Sequence, residues 1–171
     1  MAFRTPRKLA DEQEIYSAAI RALARRALSI HQMREYLSRR TDDRDLISAV
    51  VARLRQSNYL NDERYALDFT RERAQTRRQG RFRIARELRA RGVPDQQIEA
   101  ALATVFDDTD ESTLVRARLQ RYLKNIRGTL DVRKLASLQR SLLRAGFSGE
   151  AIRAELKAVT HGDLPELQGV E

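Results

Sequence analysis

The feature that most constrains the fold of this chain is an internal repeat. Residues 84–102 align with residues 138–156 at an offset of 54, and six positions match. The matched pairs are Ile84/Leu138, Leu88/Leu142, Gly92/Gly146, Val93/Phe147, Ile98/Ile152 and Leu102/Leu156. An earlier, weaker copy lies at an offset of 51 and is carried by Met33, Leu37, Ile47 and Val51. Self-similarity at this period predicts three related units stacked along one chain.

Each repeat is predicted to contain three helices, because apolar residues recur at helical spacing between turn residues. The predicted helices are 13–28, 30–40 and 43–57, then 63–78, 81–91 and one that contains Pro94 near its start, then 111–126, 131–145 and 148–159. Breaks or helix ends are expected at Gly80, Gly92, Gly128 and Gly146. The sequence therefore predicts an all-α fold of three tandem three-helix repeats (helix-turn-helix-like), elongated and curved.

The predicted domain boundaries follow from where this periodicity starts and stops. Flexible tails are expected at 1–12 and 161–171, and the three-helix units at 13–60, 61–107 and 108–160. The acidic run at 107–111 joins the second unit to the third. Metal ligation is one interpretation of this run, but helix capping and linking is the one we prefer.

Motifs that would indicate an enzyme are absent from the sequence. It has no P-loop, no dinucleotide-binding glycine turn, no nucleophile elbow, no cysteine, and only two histidines, His31 and His161. We interpret His31 as a surface or interface residue. No apolar run approaches the ~18 residues of a membrane span, and the amino terminus lacks the apolar stretch of a secretory signal. We expect a soluble, cytoplasmic, non-enzymatic protein without metal or cofactor.

The charge of the chain is concentrated in its middle repeat. Lys and Arg number 33 against 24 Asp and Glu, for a net charge of +9. The segment 71–91 alone holds nine arginines and two glutamates, or +7, and no lysine. Arginine binds phosphate or carboxylate through two parallel hydrogen bonds and stacks on bases, which lysine does not. The pattern therefore favours contact with a polyanion or an acidic protein over a merely solvated surface.

Helical geometry separates this segment into two faces. Ile84, Ala85 and Leu88 share one face of the 81–91 helix, and Phe82, Arg86 and Arg89 project from the other. Phe82 is either a platform for a base or partner side chain, or it folds back onto the preceding helix. The candidate partner- or DNA-binding residues are Arg64, Arg71, Arg77, Arg78, Arg81, Phe82, Arg83, Arg86 and Arg89.

The segment 60–66, Leu-Asn-Asp-Glu-Arg-Tyr-Ala, preceded by Tyr59, resembles the hallmark run of the RecX family of RecA-modulating proteins. From the residues alone, Asp62 is expected to cap a helix from which Arg64 points outward. Further similarity lies in Gly80 with the block at 84–93 and in the block at 142–148. The resemblance extends over about residues 14–158, nearly all of the predicted helical region.

The resemblance implies tandem three-helix repeats that bind RecA and its DNA filament and mostly inhibit its ATPase and recombinase activities in DNA repair and the SOS response. It implies no reaction. We expect single- or double-stranded DNA to be contacted directly or through the filament, and we expect a monomer with no membrane partner. The charge pattern leaves an alternative open, an autonomous helix-turn-helix-like DNA-binding protein. A nuclease is disfavoured, because no set of acidic residues converges in the sequence.

Overall fold

The structure is a computed structural model that describes residues 11–108, 110–125 and 131–159. Within these residues it contains nine α-helices and no strand. Their bounds are α1 Glu12–Arg25, α2 Ile30–Ser38, α3 Arg44–Gln56, α4 Asp62–Arg71, α5 Arg81–Arg89, α6 Asp95–Asp108, α7 Glu111–Asn125, α8 Val132–Arg144 and α9 Gly149–Val159. The nine helices of the described residues follow the three predicted triplets in order, so the predicted all-α class of tandem three-helix repeats is confirmed.

The first repeat shows how these segments form a core. Helices α1, α2 and α3 pack their apolar stripes together, and the side chains at the centre have no solvent-exposed surface. These central residues are Ile15, Met33, Leu37, Val50 and Leu54. Burying each such side chain contributes about 1.5–3 kcal/mol. The core of this repeat is therefore supplied by one face of each of three short helices.

Polar side chains fix where several helices begin. Ser29 forms a capping box before α2, in which its Oγ accepts from the amide of Gln32 at 3.1 Å and the Gln32 side chain accepts from the amide of Ser29 at 3.3 Å. Asp43 caps α3, and Asp131 caps α8 by accepting from the amide of Lys134 at 2.8 Å. Each cap satisfies amides that the helix itself leaves unpaired.

Left-handed residues end two equivalent helices, as the repeat predicts. Gly92, at φ +69°, follows α5, and the next amide, of Val93, donates to the carbonyl of Leu88 at 3.2 Å. Gly146, at φ +87°, follows α8 with the same hydrogen-bond pattern. This Schellman arrangement requires a conformation that glycine adopts without steric cost.

Two local expectations were wrong. The helix predicted over 63–78 is α-helical only to Arg71 and continues as a single π-turn, Glu72–Thr76, closed by the amide of Arg77 donating to the carbonyl of Glu72 at 3.4 Å. Pro94 lies immediately before α6 rather than inside it. Its carbonyl accepts from the amides of Gln97 at 3.1 Å and Ile98 at 3.2 Å, so it occupies the N-cap position.

The described chain divides into two compact units. The N-terminal compact unit contains the described residues up to Asp68 together with Glu87–Ala101. The C-terminal compact unit contains Phe69–Arg86 and the described residues from Leu102 onward. The middle repeat therefore contributes residues to both units. In the part of the chain that the structure describes, every helix is too short or too polar to cross a membrane.

Some predicted features lie outside the described residues. These are most of the two flexible tails, His161 and the break at Gly128. Within the acidic linker, Asp110 Oδ1 accepts from the amide of Ser112 at 3.0 Å at the start of α7. The preferred interpretation of the linker, helix capping, is confirmed at this residue.

Candidate polyanion-binding surface

In the C-terminal compact unit, the N-terminus of α5 lies against the final turn of α8. The amide of Gly80 donates to the carbonyl of Ala145 at 2.9 Å, and the amide of Phe82 donates to the carbonyl of Gly146 at 3.0 Å. A Cβ atom placed on Gly80 would lie 2.2 Å from the carbonyl oxygen of Gly146, so the two backbones touch. This contact fixes the first turn of α5 and the direction in which Phe82 projects.

A groove of about 450 Å³ lies beside this contact. It is lined by Phe82, Arg83, Arg86, Leu143, Arg144 and Gly146. Phe82 is 61% exposed and Leu143 is 49% exposed. Phe82 therefore does not fold back onto the preceding helix, and two large apolar side chains line one solvent-accessible groove. We refer to these six residues as the Phe82 groove.

Two cations of the Phe82 groove, Arg86 and Arg144, face solvent. The side chains of Arg86 and Arg144 are exposed and make neither a hydrogen bond nor an ion pair to any described residue. The backbone of Arg83 lies close to Gly146, within 3 Å of where a Cβ on that glycine would stand. The groove thus combines two apolar side chains with the guanidinium groups of Arg86 and Arg144, whose hydrogen-bond donors are available to a ligand.

Sequence reasoning missed two arginines of α7 that belong to the same compact unit. Arg118 is half-buried and donates to the carbonyl of Arg78 at 3.2 Å. Burial, followed by the nearby positive charges of Arg121 and Arg83, lowers the pKa of Arg118. Like charges held this close are relieved by an anion. The only sequence signal for them is their i, i+3 spacing on one helix face.

The remaining predicted cations of this unit differ in their availability. Arg71 is exposed and its side chain makes no hydrogen bond or ion pair with the residues described. Arg77 is exposed but its Nε lies 3.1 Å from Oε1 of Glu72. Arg81 is half-buried, with its guanidinium 5.3 Å from the ring centroid of Phe106, so much of its role is packing.

Two predicted residues lie in the N-terminal compact unit and are not among the six that line the Phe82 groove. Arg64 is exposed and its Nη2 donates to the carbonyl of Asn58 at 3.1 Å. Nε of Arg89 lies 2.6 Å from Oδ1 of Asp95. Both guanidinium groups are thus already engaged by the unit's own atoms.

The capping role expected of Asp62 was wrong, because Asn61 caps α4. Oδ1 of Asn61 accepts from the amide of Arg64 at 3.0 Å. Asp62 instead reaches α2, where its Oδ1 accepts from the amide of Ile30 at 2.8 Å. Asp62 is buried, and this burial raises the pKa of its carboxyl above the ordinary value of 3.8, although the bond from Ile30 opposes the rise.

Replacing Asp62 with alanine is expected to lower the free energy of unfolding by about 1–2 kcal/mol, since the amide of Ile30 loses its acceptor. Asp62→Asn retains an acceptor without a buried charge and serves as the control. A raised pKa means that the folded state binds the proton more tightly than the unfolded state. The stability of wild type relative to Asp62→Asn should therefore rise as pH falls from neutrality through the raised pKa towards 3.8. Urea titrations of both proteins across that range measure the difference, and an unchanged difference would contradict the burial of charge.

Comparison with known proteins decides the family. A family model described as RecX, second three-helix domain, matches residues 61–102. The regulatory protein RecX of Halorhodospira halophila is 34% identical over 155 residues, which cover 90% of this chain and 93% of that protein. The chain belongs to the RecX family.

Other RecX proteins support the assignment. The regulatory protein RecX of Geobacillus kaustophilus is 30% identical over 94% of this chain, and the match spans 60% of that longer protein. The crystal structure of RecX from Lactobacillus salivarius superposes with a TM-score of 0.76 at 22% identity, covering 90% of this chain and 99% of the other, which shows the shared fold. These relatives are named regulatory proteins. The RecX chain is therefore a regulator rather than an enzyme, and the Phe82 groove is a candidate binding surface.

Proposed function

We propose that this chain binds a RecA-type recombinase on DNA and restrains its ATP hydrolysis and strand exchange, in the cytoplasm, as part of DNA repair and the SOS response. The RecX relatives that it matches over most of its length support a regulator of this type. The partner, the direction of regulation and the contact residues belong to the proposal.

Tandem repeats suit a filament as a partner. A nucleoprotein filament presents the same surface at every protomer. Similar units joined in one chain can engage successive protomers, and each contact raises the effective concentration for the next. Weak individual contacts then sum to useful affinity without any large interface.

One observation carries the proposal: the side chains of Arg86 and Arg144, which line the groove with Phe82, are open to solvent. Arg86 and Arg144 remain without side-chain partners in the described part of the chain, and Phe82 is 61% exposed among them. A surface of merely solvated arginines would not need an exposed aromatic ring such as that of Phe82 beside them. Aromatic and arginine residues together are enriched at protein interfaces, whereas aspartate and glutamate are depleted there.

The proposal is tested with the cognate recombinase on single-stranded DNA. We expect sub-stoichiometric protein to slow both ATP hydrolysis and strand exchange, and Arg86→Glu with Arg144→Glu to weaken the inhibition about tenfold or more. A thermal melt unchanged by the substitutions is the control for folding. Hydrolysis and strand exchange that stay at their uninhibited rates at saturating wild-type protein would rule the proposal out.

The clustering of Arg83, Arg118 and Arg121 favours a second candidate, autonomous binding to nucleic acid. If about six arginines contact phosphates of duplex DNA, the logarithm of the binding constant should fall with the logarithm of salt concentration at a slope of about −5. Fluorescence anisotropy without recombinase measures this slope. A flat salt response, or binding only when recombinase is present, would reject this candidate.

A further inference from the structure

The internal repeat provides a comparison for the Phe82 groove within the same chain. The contact that positions α5 against α8 has an equivalent in the N-terminal compact unit. There Oγ of Ser29 donates to the carbonyl of Arg91 at 2.5 Å, and a Cβ on Gly92 would lie 2.3 Å from the His31 ring. By the repeat offsets, Ser29 corresponds to Gly80 and Gly92 to Gly146. Both units therefore build one kind of helix junction.

The apolar pair is present at only one of these two junctions. At the junction in the N-terminal compact unit, the positions equivalent to Phe82 and Leu143 are His31 and Arg89. The side chain of His31 is 53% exposed, and its Nε2 lies 3.7 Å from Oε1 of Glu35. The junction in the N-terminal compact unit forms with polar residues at both positions. A junction of this kind therefore does not require Phe82 or Leu143. Exposing two large apolar side chains is unfavourable for an isolated protein, which points to a role in binding.

The charges around the pair indicate which partner fits. Arg83, Arg86 and Arg144 line the groove, and the described residues that line it include no carboxylate. Arg86 and Arg144 are exposed, and their donors are not used by the residues that the structure describes. Carboxylates flanking an inserted side chain would pair with these guanidinium groups, and such bonds are stronger than neutral ones.

We propose that the Phe82 groove binds an acidic peptide segment of a partner protein, which inserts one apolar side chain between Phe82 and Leu143. This inference deepens the proposed function and rests on it for the nature of the partner. The guanidinium groups of Arg86 and Arg144 hold the flanking carboxylates, and the apolar pair removes the inserted side chain from water.

The presence of Leu143 in the groove favours a peptide over a nucleic acid. Single-stranded nucleic acids are held by stacking on aromatic rings and by cationic contacts to phosphates, for which Phe82 and the arginines would suffice. Leu143 offers no ring on which a base can stack. A leucine and a phenylalanine lining the same groove suit an apolar side chain, whose burial is favourable because its apolar area is removed from water.

The test uses a short fluorescein-labelled peptide in which one leucine is flanked on both sides by aspartates and glutamates. Anisotropy with the full chain should show saturable binding that weakens with salt. Replacing the peptide's leucine with alanine, or changing Phe82→Ala or Leu143→Ala in the protein, should each weaken binding about tenfold. Arg86→Glu and Arg144→Glu should do the same through charge.

Helix α8 offers matched control variants. Val132 and Arg133 precede Leu143 and Arg144 by eleven residues, so they lie on the same face about 16 Å away. Val132 is 60% exposed and Arg133 is also exposed. Val132→Ala and Arg133→Glu should therefore leave peptide affinity within about twofold of wild type. Equal losses at the two ends of α8 would mean that the peptide responds to general charge, and would overturn the proposal.

Fluorescein-labelled oligodeoxythymidine serves as the competing probe. If it displaces the peptide, and its own binding also weakens with Phe82→Ala and Leu143→Ala, the groove is a nucleic-acid site and the proposal is wrong. Absence of peptide binding would overturn the groove assignment even where inhibition of the recombinase stands. Groove-dependent peptide binding with an unaffected recombinase would support the groove and refute the proposed function.

Discussion

Replacing Gly146 with alanine is expected to lower the free energy of unfolding by about 2–5 kcal/mol. Gly146 has φ +87°, a left-handed conformation that strains a residue with a side chain. An added Cβ would also lie 2.4 Å from both the Cβ and the backbone nitrogen of Arg83. Neither neighbour can move without shifting the first turn of α5. Urea denaturation followed by circular dichroism measures the change.

Gly149→Ala is the matched control for this substitution. Gly149 is the first residue of α9, and an added Cβ there would meet nothing closer than the guanidinium of Arg153 at 3.4 Å. We expect this variant to stay within about 0.5 kcal/mol of wild type. If both variants unfold at the same urea concentration, the backbone contact between Gly80 and Gly146 does not hold the C-terminal compact unit together.

Leu88→Ala is the second large effect, a loss of about 2–5 kcal/mol. Leu88 has no exposed surface, and truncation would leave a cavity that neighbouring helices can only partly fill. The measurement is the free energy of unfolding from urea titration, with the slope of the transition unchanged.

Arg86→Ala separates the buried face of α5 from its exposed face. Arg86 lies two residues before Leu88, is exposed and has no side-chain partner in the described residues. Its truncation should change stability by no more than about 0.5 kcal/mol while weakening partner binding. Equal shifts in stability for the two substitutions would show that the faces of α5 are assigned wrongly.

The helices could be predicted from the sequence because their determinants are local. Apolar spacing, the Ser29 cap and the glycines at helix ends each act within a few residues, and the predicted helices match the observed ones to within a few residues apart from the π-turn after α4. The burial of Ile84 and Leu88 and the exposure of Phe82 follow from the same periodicity.

The groove could be predicted only in part. Its α5 residues stand in the arginine-rich segment, but Leu143 and Arg144 come from a helix more than fifty residues away in sequence. The clustering of Arg118 with Arg83 likewise depends on how α7 packs. Local capping rules predict that Asp62 caps its own helix, whereas its Oδ1 accepts from the amide of Ile30 in the preceding repeat. Contacts between distant segments carry no periodic signal.

The carboxylate of Asp62 on the amide of Ile30 has a counterpart that affects how this protein can be dissected. Oε1 of Glu111, the first residue of α7, accepts from the amide of Arg81 at 3.4 Å, as Asp62, the first residue of α4, does for α2. The first amide of the second helix of a repeat thus donates to a carboxylate at the start of the next repeat. Deleting or transplanting one three-helix repeat would remove that acceptor from the preceding repeat. Truncated chains should therefore end after Asp62 or Glu111 rather than in the loops before them.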